Sequence, residues 1–181
     1  MGGVVSAPAI MGVLKGCQSK PGIDFKPEFL NDDQASIVSQ IAEIIIPKTD
    51  TPGAKEAGVP AFIDQMLNEV YSEEDQKRFT SGLQAFDEEA KSAYGDAFLD
   101  LDDEQQKEFV KKTHDTAIEA ERNAEQRGER PFILTMKELT MLGFFTSEPG
   151  ATQVLQYDPV PGAYNGCIPL SEAGNGKTWA S

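Results

Sequence analysis

Residues 31–47 read NDDQASIVSQIAEIIIP, and this stretch decides the fold class. Asn31 can cap the free amides of a helix, with acidic residues in the first turn and Gln34 as the reciprocal cap. The apolar residues that follow recur at the spacing of one helix face: Ile37, Val38, Ile41, Ile44 and Ile45. Pro47 ends the segment, because proline cannot continue a helix. The stretch therefore predicts an amphipathic helix.

Four further segments carry the same signals. Capping or helix-breaking residues mark their ends: Pro60, Ser72, Gly95, Asp102, Gln105 and Pro131. Their apolar positions share helical spacing: Phe62, Ile63, Met66, Leu67, Val70, Phe79, Leu83, Phe86, Ala90, Phe109, Val110, Thr113, Ala117, Ala120, Ala124, Phe132, Ile133, Met136, Leu139, Leu142 and Phe145. The fourth helix is expected to end near Arg127. The sequence thus predicts an all-α, single-domain helical bundle of about five helices over residues 31–147.

Residues 148–181 form a segment of different character, here called the C-terminal arm. Its many prolines and glycines exclude a long helix. It also carries Tyr157, Tyr164 and Trp179, whereas disordered tails are poor in aromatic residues. We therefore expect an irregular arm that is ordered against a surface.

Residues 1–17 read as a signal or lipoprotein-like segment, followed by a tether over residues 18–30. The apolar run is too short to span a bilayer but fits the apolar region of a secretory signal. No Lys or Arg precedes it, so we expect the true start to lie upstream. Residues 14–17, LKGC, resemble a lipobox in which Cys17 would be acylated; the alternative is an ordinary cleavage site with an incidental cysteine.

The composition argues against several functions. A net charge of −14 disfavours binding to nucleic acid or to an anionic membrane surface. The single histidine, His114, lacks a recognisable nucleophile, and no glycine-rich cofactor motif follows a strand. Two distant cysteines and one histidine do not make a zinc site. We expect no catalytic residue, cofactor or metal in this chain. The loop of residues 49–54 could cradle an anion or serve only as a turn between helices.

Three stretches of the sequence, taken in order, form a recognisable pattern. The first comprises IAEIIIP (41–47), TPGA (51–54) and GVPAFID (58–64). The second lies within residues 132–150 and ends in GFFTSEPG. The third is YDPVPGAYNGCIPL (157–170), with Trp179 closing the pattern. Together the three stretches resemble the gluconate 2-dehydrogenase subunit 3 family.

The resemblance implies a role that composition does not reveal. Members are small subunits of membrane-associated dehydrogenases for gluconate, glucose and other sugars. The large partner resembles the glucose–methanol–choline oxidoreductases and holds the FAD, and a cytochrome c commonly takes the electrons onward. The small subunit typically carries a twin-arginine signal, and the folded large subunit crosses the membrane as its passenger. This chain departs there, because no Arg-Arg pair precedes the apolar run.

We therefore expect an exported accessory subunit, periplasmic or membrane-associated through a lipid anchor or its complex. The expected partner-binding residues share the arm: Tyr157, Pro161, Tyr164, Cys167 and Trp179. Cys167 would form a disulfide with the large subunit or would be a small buried thiol packed beside Ile168. The alternative functions are a stand-alone periplasmic lipoprotein that acts as a binding module, and an enzyme with an unrecognised carboxylate site.

Overall fold

Within the residues that a computed structural model describes, five α-helices make up the body of the protein. The model describes residues 23–123, 129–158, 160, 162–163, 167–169, 171–172 and 176–180. The helices are α1 (Asp32–Ile45), α2 (Val59–Glu69), α3 (Glu73–Tyr94), α4 (Asp103–Asn123) and α5 (Phe132–Thr146). A 3-10 turn (Phe98–Asp100) joins α3 to α4, and a π-helical turn (Gly150–Val154) follows α5. The all-α prediction is confirmed, and no strand occurs within the described ranges.

The predicted caps begin the helices as expected. At α1, Asn31 Oδ1 accepts a hydrogen bond from the Gln34 amide at 2.9 Å, and the Asn31 amide donates to Gln34 Oε1 at 3.1 Å. At α4, the Asp102 amide donates to Gln105 Oε1, while the Gln105 amide donates to Asp102 Oδ1. These reciprocal bonds provide acceptors for amides at the start of each helix, which have no carbonyl of a preceding turn to bind.

Helix α5 lies at the centre of the bundle and packs against each of the other four helices. A helix that is surrounded by neighbours must be apolar on most of its circumference, whereas the spacing in the sequence predicts only one apolar face. Four buried positions of α5 accordingly lie outside that predicted face: Leu134, Thr140, Gly143 and Phe144. Leu142, which we placed in the core, is 48% exposed, so that assignment was wrong.

An aromatic cluster fills the core beside α5. The ring of Phe86 lies 4.7 Å from that of Phe109, 5.0 Å from that of Phe98 and 5.8 Å from that of Phe132, measured between centroids. Such tilted and edge-to-face pairs stabilise a core beyond the area they bury. The cluster joins α3, α4 and α5 to the 3-10 turn, so these elements form one packed body.

Two sequence-based assignments concern helix ends. Val70, expected in the core, is 65% exposed because it lies just beyond the end of α2. The expected end of the fourth helix near Arg127, like Ala124, lies outside the described residues. Over the part of the chain that is described, no helix has the length and apolar character required to cross a membrane.

Candidate functional site

The loop between α1 and α2 is organised by one carboxylate, that of Glu43. Its Oε1 accepts a hydrogen bond from the Lys48 amide at 3.0 Å, and its Oε2 accepts one from the Lys55 amide at 2.9 Å. Gly53 passes so close that a Cβ there would lie 2.6 Å from the Lys48 nitrogen. These two amides therefore already bind an internal anion. The loop of residues 49–54 therefore serves as a turn between α1 and α2. Glu43 and Gly53, which both belong to the first stretch that resembles the family, close this loop.

Asp64 on α2 is buried and binds the segment that precedes α1. Only 3% of Asp64 is exposed. Its carboxylate accepts hydrogen bonds from the amides of Glu28 at 2.7 Å, Phe29 at 3.3 Å and Leu30 at 2.8 Å. The end of the expected tether is thereby fixed to the bundle. This role was not predicted, although an aspartate within the apolar run PAFIDQML indicates buried partners.

The second motif forms the junction between α5 and the arm. Ser147 Oγ donates to the Phe144 carbonyl at 2.6 Å and accepts from the Gly150 amide at 3.2 Å. A Cβ on Gly150 would overlap the Phe144 carbonyl oxygen and lie 2.8 Å from its carbon. Only glycine fits this turn, because the atoms in contact belong to the backbone. The motif thus sets the direction in which the arm leaves the bundle.

The arm folds back on its own beginning. The Gln156 amide donates to the Thr178 carbonyl at 2.7 Å, and the Ala180 amide donates to the Gln156 carbonyl at 2.8 Å. Lys177 Nζ donates to the Gln153 carbonyl at 2.6 Å. These bonds form an isolated parallel bridge between Gln156 and Trp179, so the two ends of the arm meet.

The bridge brings two of the expected partner-binding residues to one place. Trp179 lies opposite Gln156, the neighbour of Tyr157, and the two aromatic residues are 47% and 56% exposed. Cys167 is an exposed free thiol, so the alternative of a buried thiol is wrong, and the intersubunit disulfide stays a prediction. Pro161, Tyr164 and the expected lipidation site Cys17 lie outside the described residues.

Most of the chain matches a known family model. The family model described as gluconate 2-dehydrogenase subunit 3 matches residues 32–162. The chain belongs to the gluconate 2-dehydrogenase subunit 3 family. The match runs from the first residue of α1 into the arm, so it includes all five helices. No curated protein and no solved structure gives a significant match. Because the family is one of dehydrogenase subunits, membership implies a partner subunit and an accessory role.

His114, the only histidine, takes part in a polar chain on the surface of α4 and α5. Its Nε2 lies 3.0 Å from Lys137 Nζ, and its Nδ1 lies 3.2 Å from Asp115 Oδ1. Since an ammonium only donates, Nε2 accepts and Nδ1 carries the proton that is donated to Asp115. A hydrogen bond from Lys111, followed by one from His114, lowers the pKa of the Asp115 carboxyl. His114 thus connects Lys137 on α5 with Asp115 on α4.

Beside His114 lies a cavity of about 300 Å³, here called the lysine pocket. Four branched apolar side chains form its floor: Ile44, Ile45, Val110 and Ile133. Four nitrogen-bearing side chains form its rim: Lys107, Lys111, His114 and Lys137. Its residues come from three helices that are distant along the chain, so no local pattern in the sequence predicts it.

Metal-ligating residues do not converge in the described part of the chain. No group of three or more His, Cys, Asp or Glu side chains there has the arrangement needed to hold an ion. The buried carboxylate of Asp64 and the loop carboxylate of Glu43 are both occupied by backbone amides. Among the described residues, we therefore find structural and surface roles for the polar side chains and no assembled reaction centre.

Proposed function

We propose that this chain is the non-catalytic small subunit of an FAD-dependent sugar or gluconate dehydrogenase. In this proposal it escorts, exports and stabilises a large flavoprotein subunit that resembles the glucose–methanol–choline oxidoreductases. The FAD belongs to that partner, and a cytochrome c accepts the electrons. The observation that carries the proposal is the family match over residues 32–162, which comprises the whole helical body. The signal-like residues 1–17 support an exported, periplasmic or membrane-associated location.

The arm is the proposed docking element. Its exposed apolar residues include Tyr157 and Trp179, together with Val160 at 80% and Ile168 at 44% exposure. Tyrosine and tryptophan bury a large area with few rotatable bonds, which is why they dominate binding energies at protein interfaces. The backbone bonds at Gln156 already join the two ends of the arm. This ordering before contact lowers the entropic cost of docking.

We expect the chain purified alone to contain no flavin and to show no dye-linked oxidation of gluconate or glucose. The reason is that the sequence has no glycine-rich cofactor motif after a strand and no recognisable nucleophile for its single histidine. The measurement is the visible absorbance spectrum of the pure chain and a dye-reduction assay with added FAD. Stoichiometric flavin retained through gel filtration would contradict the proposal.

Replacing Tyr157 and Trp179 together with alanine should weaken the complex with the flavoprotein by about 100-fold or more. Loss of two interface anchors typically costs roughly 2 kcal/mol each or above, although such costs are not strictly additive. The tagged chain is recovered from its native host, and the flavin content and dehydrogenase activity of the eluate are compared with those of the unmodified chain.

Val70→Ala serves as the matched control, since Val70 is 65% exposed and lies at the end of α2, outside the arm. It should leave flavin recovery unchanged. Equal recovery of flavin with the double variant would exclude these two side chains as anchors. Recovery of the unmodified chain without any flavoprotein would instead favour the stand-alone periplasmic lipoprotein.

A further inference from the structure

The lysine pocket combines an apolar floor with a cationic rim on a chain whose net charge is −14. Val110 and Ile133 are buried, while Ile44 and Ile45 at the end of α1 are half-buried. Its volume of about 300 Å³ lies at the lower end of the range found for small-molecule sites, roughly 300–1,000 Å³. The apolar side chains of the floor suit a small hydrocarbon group.

The rim carries positive charge that nearby carboxylates do not cancel. Lys111 is paired with Asp115. Within the described ranges, the only hydrogen-bond partner of the Lys137 ammonium is His114 Nε2, and Lys107 has no ion-pair partner. His114 therefore holds the Lys137 ammonium at the pocket without neutralising it. An anion at the rim would have two uncompensated ammonium groups to bind.

The C-terminus of α1 offers a competing explanation for these lysines. Ile45, its last residue, lies in the floor, and the carbonyl dipoles there are equivalent to about half a negative charge. The positive charges of Lys107 and Lys137 together exceed the half negative charge at the end of α1. The helix end alone therefore leaves positive charge at the rim unaccounted for.

We propose that the lysine pocket binds a single-chain amphiphile with a carboxylate head. The chain lies against the four floor residues, and the carboxylate is held between Lys107 and Lys137. This site is separate from the arm and does not depend on the proposed partner, so the chain alone suffices for the test. The proposed ligand thus combines one short hydrocarbon chain with one negative charge.

Octanoate is the probe, and the measurement is an NMR titration of the isotopically labelled chain. Shifts are expected in the amides around Ile45, Val110 and Lys137. Decanoate should bind about tenfold more tightly, because each buried methylene raises affinity roughly threefold to fourfold. Octanol and acetate, which each lack one half of the recognised chemistry, should bind at least about tenfold more weakly than octanoate. Equal binding of octanol would overturn the role of the lysines.

The variant Lys137→Gln is expected to weaken octanoate binding about threefold to tenfold. Lys112→Gln is the matched control, because Lys112 is exposed on α4 and does not line the pocket. Thermal unfolding of both variants tests the competing explanation, in which Lys137 stabilises the C-terminus of α1. If Lys137→Gln lowers the melting temperature but leaves the affinity unchanged, the lysine serves the end of α1 and the proposal is wrong.

Ile45→Ala tests the floor at a half-buried position whose loss should leave the bundle folded. It should reduce the affinity for octanoate about threefold or more. An acidic peptide that contains leucine provides the remaining comparison. If that peptide shifts the pocket amides while octanoate does not, the pocket is a protein-docking site and the amphiphile proposal is overturned.

Discussion

Replacing Asp64 with alanine is expected to lower the free energy of unfolding by about 3 kcal/mol. The substitution leaves the amides of Glu28, Phe29 and Leu30 without their acceptor, and each unpaired buried donor costs roughly 1–3 kcal/mol. Because the first two amides are only partly buried, water offsets part of this loss. Urea denaturation followed by circular dichroism measures the change.

Two companion variants sharpen this test. Asp64→Asn keeps one acceptor oxygen but turns an amide donor toward backbone donors, so we expect a loss nearly as large. Asp24→Ala removes an exposed carboxylate from the same N-terminal segment and should change stability by less than about 0.5 kcal/mol. An unchanged denaturation midpoint for Asp64→Ala would show that the carboxylate does not hold the N-terminal segment in place.

Replacing Gly150 with alanine is expected to break the junction between α5 and the arm, at a cost of about 3 kcal/mol. The added methyl group would overlap the Phe144 carbonyl oxygen and approach Phe145 Cα to 3.2 Å. Backbone atoms cannot move aside as a flexible side chain can, so the π-helical turn must unwind. The hydrogen bond from the Gly150 amide to Ser147 Oγ and the one from the Leu155 amide to the Gly150 carbonyl would be lost with it.

Limited proteolysis and thermal unfolding follow this effect in the arm and in the bundle separately. Gly162→Ala is the control within the same arm, because a Cβ there meets no atom within 4 Å. We expect the Gly150 variant to be cleaved early within residues 150–180, and the Gly162 variant to behave like the unmodified chain. Equal protease resistance of the two variants would mean that the turn tolerates a side chain.

The parts of the fold that depend on local chemistry could be predicted from the sequence. Asn31 with Gln34, and Asp102 with Gln105, form their caps from residues three positions apart. Gly95 ends α3 in the left-handed conformation, with a φ of 88°, that favours glycine. In each case the partner atoms lie within one helical turn, so spacing along the chain determines their contact.

Features that join distant segments could not be predicted in this way. Asp64 finds its partners 34–36 residues earlier in the chain, and the amides it binds are recognisable only after α1 and α2 have packed. The central position of α5 likewise depends on four neighbours, which is why its single predicted stripe was too narrow. The lysine pocket assembles side chains from α1, α4 and α5, and no spacing within one helix reveals it.

The bridge between Gln156 and Trp179 holds the two ends of the intervening segment at one place. When the two ends of a segment are joined in this way, a change in its length does not alter where those ends lie relative to the helical bundle. The entropic cost of closing a longer segment grows only with the logarithm of its length. An insertion between residues 171 and 178, beyond the third stretch that resembles the family, is therefore expected to cost the helices little stability. Surface recognition and bundle stability are thus free to diverge separately among descendants of one ancestral chain.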